Sequence, residues 1–192
     1  MKGLKRSALC IFLLLWATII FSPLPVLANA TISIQPSVST PTVGSIFDVP
    51  VNVSGVTDLY AFQFDITFNP TILAAMMVNE GTFLQSSGGF FPGLIDNGAG
   101  TISFTADSLI GSVPGVDGNG TLADISFQAL TLGTSPIDLS NVVLLDSNLG
   151  SISSDSQGGS VTVVAPEPAT FFLISMGMVA LGIVRKKGRE II

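Results

Sequence analysis

The sequence predicts an all-β protein, an antiparallel jelly-roll β-sandwich of about nine strands, flanked by an N-terminal signal helix and a C-terminal transmembrane helix. Three observations support this fold class. Between residues 31 and 165, apolar and polar residues alternate in short runs, which is the period of half-buried strands. Clusters of Gly, Asn, Asp and Pro separate these runs, as turn residues do. Many short strands at turn spacing bury their apolar faces in a sandwich or jelly roll.

The first strands are expected over residues 31–35 and 48–53, and the clearest one covers residues 59–68. The inward positions of this third strand hold five bulky residues: Tyr60, Phe62, Phe64, Ile66 and Phe68. Its outward positions hold small or polar residues: Ala61, Gln63, Asp65 and Thr67. Because side chains alternate between the two faces of a strand, this pattern assigns the aromatic side to the core.

Later strands are expected over residues 101–106, 123–129, 137–146 and 160–164. The inward residues of the first of these would be Ile102, Phe104 and Ala106, and those of the second Ala123, Ile125, Phe127 and Ala129. Residues 72–78 fit either a strand or one helical turn. Turns are expected over residues 97–100, 114–120 and 157–159.

Residues 1–30 are predicted to be a secretory signal peptide. Three cations, Lys2, Lys5 and Arg6, precede an apolar stretch over residues 8–21. The segment ends in an A-x-A cleavage motif made by Ala28 and Ala30, so the mature chain would begin at Thr31. The only cysteine, Cys10, lies inside the apolar stretch, and the mature domain would therefore fold without disulfides.

The C-terminal segment, residues 166–192, combines three features: Pro166-Glu167-Pro168, an apolar run over residues 169–184, and the cations Arg185, Lys186 and Lys187. As a helix, the run would span about 24 Å, slightly less than the ~30 Å hydrocarbon core, which suits a temporary anchor in the inner membrane. This order resembles the PEP-CTERM sorting signal. The resemblance implies recognition by an exosortase-type membrane protease and release to the cell surface or extracellular matrix. An ordinary tail anchor is the alternative, and both place the domain outside the cytoplasm.

Charge is distributed very unevenly along the chain. All seven Lys and Arg lie in the two terminal segments, whereas eleven of the thirteen acids lie between residues 31 and 165. A domain without cations cannot neutralise phosphates, so nucleic acid is excluded as a partner. Divalent cations or a partner with a basic face would complement this charge. The alternative is that the acidity only keeps an exported protein soluble.

The residue inventory argues against an enzyme. The chain has no His, and residues 31–165 have no Cys, Lys or Arg. This excludes Ser-His-Asp and Cys-His nucleophilic sites, lysine bases and histidine-based zinc sites. A glycosidase would need only two carboxylates, but Glu80 is the only glutamate of the domain and most aspartates lie in turn-like contexts. We therefore expect no catalytic residues.

Three motifs in residues 31–164 resemble those of the cohesin family. Residues 59–73 are similar to its signature strand, which ends in aromatic–Asn/Asp–Pro–x–Val/Ile–Leu. Residues 120–127 are similar to its Gly-x-Leu-Ala-x-Ile-x-Phe strand, and residues 43–51 to its Val-Gly turn and Val-rich strand. The resemblance implies a nine-stranded jelly roll, related to carbohydrate-binding modules, that recognises dockerin on an outward sheet face.

The same resemblance suggests two functions for an exported module. The first is protein–protein adhesion or scaffolding on the outward face, with Gln63, Asp65 and Thr67 as binding residues. Dockerin-binding members carry Asn-x-Asp on that face, where this sequence has Ala61 and Gln63. The second is polysaccharide binding, linked to polysaccharide metabolism or a biofilm matrix. For a glycan, the only candidate exposed aromatic pair is Phe90-Phe91, which could instead close the end of the sandwich.

One segment resembles the start of a calcium loop. Residues 117–121 carry oxygen-bearing side chains at alternate positions, as EF-type loops do, but without the downstream bidentate Glu. Asp117, Asn119 and Asp124 would be the Ca²⁺ ligands, completed by backbone carbonyls. The alternative is an ordinary Gly-rich loop between two strands, with no cofactor bound.

Overall fold

Eleven strands form two sheets in the computed structural model, which describes residues 29–36, 38–85 and 89–166. The strands are β1 Ala30–Ile34, β2 Val38–Ser39, β3 Ile46–Leu59, β4 Ala61–Phe68, β5 Leu73–Glu80, β6 Leu94–Asp96, β7 Thr101–Ser108, β8 Val116–Ala129, β9 Gly133–Leu145, β10 Ser154–Gln157 and β11 Gly159–Val163. The described residues include no helix long and apolar enough to cross a membrane. The helices expected at the two ends of the chain, the C-terminal one over residues 169–184, lie outside these residues.

The five-stranded sheet has the order β10-β1-β3-β8-β5, and the six-stranded sheet has the order β2-β11-β9-β4-β7-β6. The β-sandwich prediction is confirmed, but the sheets are not wholly antiparallel, because β1–β10 and β2–β11 pair in parallel. The prediction of about nine strands omitted β2, β6 and β10, which have only two to four residues. Such short edge strands are too short to show alternation. Residues 72–78, left open above, belong mainly to strand β5.

The core lies between the facing sides of the two sheets. The inward residues expected in β4 and β8 are buried, apart from Tyr60: they are Phe62, Phe64, Ile66, Phe68, Ala123, Ile125, Phe127 and Ala129. Phe68 of one sheet meets Phe127 of the other edge to face, with ring centroids 5.2 Å apart. Each such fully buried aromatic side chain contributes about 1.5–3 kcal/mol relative to an exposed one.

The strand predicted over residues 59–68 begins later than expected. Leu59 is the last residue of β3, and Tyr60 lies between β3 and β4, half-buried rather than in the core. The Tyr60 hydroxyl donates a hydrogen bond to the carbonyl of Gly111 at 2.7 Å. The chain therefore crosses from one sheet to the other at Tyr60, and the buried positions change phase there, from Leu59 to Phe62.

The end of β4 explains the Asn-Pro pair of the signature motif. The side-chain oxygen of Asn69 accepts hydrogen bonds from the amide and the hydroxyl of Thr71, at 3.0 and 2.8 Å. The Asn69 amide donates to the Ser135 hydroxyl of β9 at 2.9 Å. This Asx turn ends β4 and directs the chain into β5.

The strand predicted over residues 101–106 is part of β7, but the inward residues assigned to it were wrong beyond Ile102. Phe104 is 52% exposed, whereas Thr105 is fully buried. Phe64 pairs with Thr105 and Ile66 with Ile102, so two residues of β7 oppose one of β4. This β-bulge reverses the alternation of β7, and Ala106 consequently faces outward as well.

The turn predicted over residues 114–120 was also wrong, because β8 begins at Val116. Gly118 and Gly120 pair with Val56 and Val53 where β3 carries two register shifts. Gly118 has a φ of +115°, a conformation that suits the irregular pairing. The glycines here accommodate a bulged ladder rather than a loop.

The sandwich has two poles, at which the loops cluster. The carboxyl-terminal pole consists of loops 41–45, 69–72, 97–100 and 130–133, joined by hydrogen bonds such as those from Val43 to Val164, from Leu130 to Ile72 and from Phe68 to Gly100. The amino-terminal pole consists of the end of β3 with Tyr60 (residues 54–60) and loops 109–115 and 146–153, joined by hydrogen bonds such as that from Tyr60 to Leu145. The described part of the chain leaves the domain at the carboxyl-terminal pole.

Candidate functional site

Apolar side chains are exposed on the outward face of the six-stranded sheet. Phe91, Leu94, Phe104 and Val143 are 43%, 68%, 52% and 41% exposed, and we refer to these four residues as the apolar patch. Single exposed apolar residues are common on protein surfaces, whereas a contiguous group marks an interaction site.

The strand register places two of the patch residues, Phe91 and Val143, in one row of the outward face. Gln63 pairs with Val143 of β9 on one side and with Ala106 of β7 on the other. Ala106 also forms a bridge with Phe91. Residues directly opposite on antiparallel strands share a face, so one row across the sheet consists of Val143, Gln63, Ala106 and Phe91, with Gln63 near its middle.

Phe91 and Phe104 form the aromatic centre of the patch. Their ring centroids are 6.0 Å apart, and the ring planes are inclined by 64°. Phe104 is outward only because of the β7 bulge, and its backbone φ is +62°. A bulky residue rarely adopts this conformation unless its surroundings impose it.

Asp65 imposes that conformation. One carboxylate oxygen of Asp65 accepts a hydrogen bond from the backbone N–H of Phe104 at 2.6 Å. The other accepts one from the side-chain amide of Asn141 at 2.6 Å. Asn141 has a φ of +51° and lies in a second bulge, where β9 shifts register against β4. A single carboxylate thus ties together the two bulges that flank β4.

The three residues expected to bind a partner share the outward face of β4 but are not equivalent. Asp65 is engaged by Phe104 and Asn141. Within the described part of the chain, no side-chain hydrogen bond engages Gln63 or Thr67, and Thr67 is exposed. Gln63 and Thr67 are therefore available to a partner, whereas Asp65 positions Phe104. Sequence reasoning missed Phe104 because the bulge reverses the phase of the pattern.

The three expected calcium ligands are not brought together. Asp117 accepts a hydrogen bond from the Asp58 amide at 2.7 Å, and Asn119 accepts one from the Gly55 amide at 2.7 Å. Asp124 lies seven residues further along β8, a distance of roughly 23 Å in an extended strand. Residues 29–36, 38–85 and 89–166 contain no group of three or more acidic, His or Cys side chains able to hold a metal.

Asp58 connects loops at the amino-terminal pole. Its carboxylate accepts hydrogen bonds from the Ser147 hydroxyl and from the Gly115 amide, both at 2.7 Å. These two bonds, that from Ser147 first, hold the pKa of Asp58 below its ordinary value. The loops also line an open pocket of about 450 Å³: Tyr60, Gly111, Ser112, Val113, Pro114, Ser147 and Leu149.

The centre of the opposite outer face, on the five-stranded sheet, is polar. The Ser126 hydroxyl donates to the Asp48 carboxylate at 2.5 Å, and the Thr121 hydroxyl donates to the Asn52 side chain at 2.8 Å. Burial, followed by the negative charge of Asp48, raises the pKa of Asp124 above its ordinary value. The exposed apolar residues Met76 and Met77 lie at the edge of this sheet, in β5.

Most residues of the two processing signals lie outside the described residues, namely Ala28, Glu167, Pro168, Arg185, Lys186 and Lys187. Ala30, the last residue of the expected cleavage motif, is buried as the first residue of β1. Its backbone amide donates to the Ser153 carbonyl at 3.3 Å. Pro166, at the other end, is exposed.

Two family models match the chain. The cohesin domain model matches residues 31–163, and the PEP-CTERM protein-sorting motif matches residues 164–187. Among curated proteins, cellulose-binding protein A of Clostridium cellulovorans is 25% identical over 151 residues, which are 76% of this chain and 8% of that protein. The chain therefore spans only a small part of that relative.

Solved cohesin structures share the fold. A non-cellulosomal cohesin of the archaeon Archaeoglobus fulgidus aligns with a TM-score of 0.61 at 20% identity, covering 76% of this chain and 98% of that one. A type I cohesin–dockerin complex from Clostridium thermocellum gives a TM-score of 0.63 at 16% identity, covering 71% and 100%. A type II cohesin from the cellulosome of Acetivibrio cellulolyticus gives 0.59 at 20%, covering 70% and 95%.

Proposed function

The chain belongs to the cohesin-domain family and carries a PEP-CTERM sorting motif, and we propose that it is an exported, non-catalytic module that binds a protein on the outward face of its six-stranded sheet. The observation that carries this proposal is the apolar patch with the Phe91–Phe104 pair at its centre. Exposed aromatic residues grouped on a rigid sheet are typical anchors of protein interfaces.

The surroundings of the patch indicate the chemistry of the partner. The outward polar residues Gln63 and Thr67 can donate to and accept from groups at the rim of an interface. The eleven acids between residues 31 and 165 lack any internal cation, so a basic rim on the partner would raise the association rate and favour the correct orientation. The Clostridium thermocellum structure holds a dockerin, which supports a protein as the partner class here.

The inclination of the two aromatic rings argues against the polysaccharide alternative. A sugar ring stacks on a flat platform, whereas Phe91 and Phe104 are inclined by 64° and so cannot both lie flat against one sugar. An edge-to-face pair instead makes a ridge that can enter an apolar groove on another protein. The geometry therefore favours protein–protein adhesion or scaffolding over glycan binding.

The sorting motif supports the proposed location of the binding module. A signal of this kind is a substrate for an exosortase-type membrane protease, which would release the domain to the cell surface or the surrounding matrix. Before release, the apolar run over residues 169–184 and its basic cluster would hold the precursor in the inner membrane.

The experiment is site-specific photo-crosslinking in the cells that make the protein. A photoreactive phenylalanine replaces Phe104 in one variant and Met77, on the other sheet, in a matched control. The proposal predicts a discrete protein adduct from position 104 and none from position 77. Absence of a protein adduct at position 104, together with retention of the domain on a glycan array, would favour the polysaccharide alternative and overturn the proposal.

A further inference from the structure

The carboxyl-terminal pole exposes a second group of apolar side chains. Ile46, Leu130, Leu132 and Val164 are 63%, 39%, 60% and 38% exposed. Leu130 and Leu132 lie on the loop between β8 and β9, and Ile46 begins β3. Two leucines on a loop tip are placed to enter an apolar medium rather than to pack within the domain.

The same pole carries only one carboxylate in or beside its loops. Its loops over residues 41–45, 69–72 and 130–133 contain none of the eleven acids of the domain. The fourth loop, residues 97–100, follows Asp96, whose carboxylate accepts hydrogen bonds from the Gly98 and Ala99 amides. The amino-terminal pole also exposes apolar side chains, such as Leu149, but it holds the carboxylates of Asp58, Asp117 and Asp146. The carboxyl-terminal pole therefore brings fewer carboxylates to an anionic surface than the amino-terminal pole does.

The chain leaves the domain at this pole. Val164 is fixed by two hydrogen bonds, since its amide donates to the Pro41 carbonyl at 2.9 Å and its carbonyl accepts from the Val43 amide at 3.1 Å. The apolar run begins at Ala169, five residues later. Five residues reach at most about 18 Å, so an anchored precursor keeps this pole close to the membrane.

We propose that the carboxyl-terminal pole is a membrane-contacting surface in the anchored precursor, with Leu130, Leu132 and Ile46 inserted among lipid headgroups. This inference rests on the C-terminal anchor in the proposed function. Each headgroup layer is only about 5–8 Å thick, so leucines on a short tether can reach its apolar boundary. In this orientation the outward face of the six-stranded sheet stands at the side of the domain, accessible to a partner.

The test measures the lipid exposure of two matched leucines. The precursor is isolated after export from cells that lack exosortase, with Cys10→Ser so that an introduced cysteine is the only one. Leu132→Cys, or Leu149→Cys at the opposite pole, carries an environment-sensitive fluorophore; the two leucines are similarly exposed, at 60% and 67%. Each protein is reconstituted into phosphatidylcholine–phosphatidylglycerol vesicles with and without brominated acyl chains, and vesicle flotation is measured in parallel.

The inference predicts that brominated lipid quenches the label at residue 132 and leaves the label at residue 149 unquenched, while both proteins float with the vesicles. Adding Leu130→Ser to the Leu132→Cys protein should reduce the quenching without abolishing flotation. Flotation without quenching at residue 132 would overturn the membrane contact and leave the anchor intact. Loss of flotation would overturn both the membrane contact and the C-terminal anchor. A blue shift of the fluorophore without quenching would indicate a second protein at this pole and would also overturn the inference.

Discussion

The two outer faces of the sandwich share one kind of hydrogen bond at their β-bulges, but the faces differ in which side chains they expose. In both sheets an acidic or amide side chain accepts hydrogen bonds from backbone amides at bulges, Asp65 in the six-stranded sheet and Asp117 and Asn119 in the five-stranded sheet. In the first, the bulge lies mid-strand and turns Phe104 into solvent. In the second, the bulges held by Asp117 and Asn119 lie at the end of β3, beside the amino-terminal pole, and the centre of the face stays polar. Because β3 and β5 also shift register in mid-strand, at Val51/Asn52 and Ala75/Met77, the two faces differ in which side chain a bulge turns outward rather than in whether they carry mid-strand bulges.

Removing the Asp65 carboxylate, which holds the bulges of the six-stranded sheet, should have the largest effect on the free energy of unfolding. Asp65→Ala deletes the acceptors of the Phe104 amide and the Asn141 side chain, and we expect it to lower the free energy of unfolding by about 2 kcal/mol. The measurement is chemical denaturation. Asp65→Asn is the control, since its amide oxygen still accepts from Phe104 and the Asn141 amide can rotate to accept, so most of the stability should remain. Equal losses in the two variants would show that charge, not acceptor geometry, holds the bulges.

A second prediction compares two glycines with similar backbone angles. Gly93 and Gly111 have φ values of +82° and +91°, so alanine is strained at both. A Cβ at Gly93 would also lie 2.8 Å from the Thr105 hydroxyl and 2.9 Å from the Ser103 carbonyl, whereas one at Gly111 meets nothing within 4 Å. Gly93→Ala should therefore cost about 1–3 kcal/mol more than Gly111→Ala in thermal or chemical melts, because it displaces β7 at its bulge. Indistinguishable stabilities would mean that the bulge is more plastic than this packing implies.

Removing a side chain that holds a bulge of the five-stranded sheet should change the free energy of unfolding less. Asp117→Ala removes the acceptor of the Asp58 amide and should lower the free energy of unfolding by about 1 kcal/mol. Because the Asp117 side chain acts here as an acceptor for a backbone amide, the loss of unfolding free energy should be the same in CaCl₂ and in NaCl of equal ionic strength. Extra stabilisation of the wild type by CaCl₂, absent from the variant, would instead establish a calcium site at residues 117–121.

The smallest change in the free energy of unfolding should come from removing a charge on the polar outer face of the five-stranded sheet. Asp124→Asn removes a carboxylate whose pKa is raised by burial and by Asp48, so the variant should be more stable by about 0.5 kcal/mol near neutral pH. A raised pKa means that the folded state disfavours the ionised form. The gain must therefore fade as pH falls through the raised pKa and vanish below the ordinary value of 3.8, where Asp124 is protonated in both states. Unfolding curves across this pH range test it, and a gain that persists at low pH would contradict the electrostatic cause.

Alternation in the sequence was sufficient to identify the sandwich and the inward residues of β4 and β8, because a buried face must repeat every second residue. It misplaced Phe104 because a bulge inserts one residue and reverses the phase, and nothing local in Thr101–Ser108 marks the insertion. The cause of the bulge lies on the neighbouring strand, at Asp65, and this long-range hydrogen bond has no signature in the sequence. Asp65 was expected on the outward face of β4, where it lies, but its hydrogen bond to Phe104 was not expected, and its role in binding stays a prediction.

The central claim is that a partner protein binds the outward face of the six-stranded sheet through its aromatic pair. The most direct measurement is the dissociation constant of the partner captured at position 104, for two double variants of equal chemical severity. Phe91→Ala with Phe104→Ala should weaken binding at least about 30-fold, the loss expected when one anchor worth ~2 kcal/mol is removed. Met76→Ala with Met77→Ala, on the other sheet, should change it less than about threefold. Binding that survives loss of both phenylalanines, or that fails when the methionines are replaced, would contradict this account.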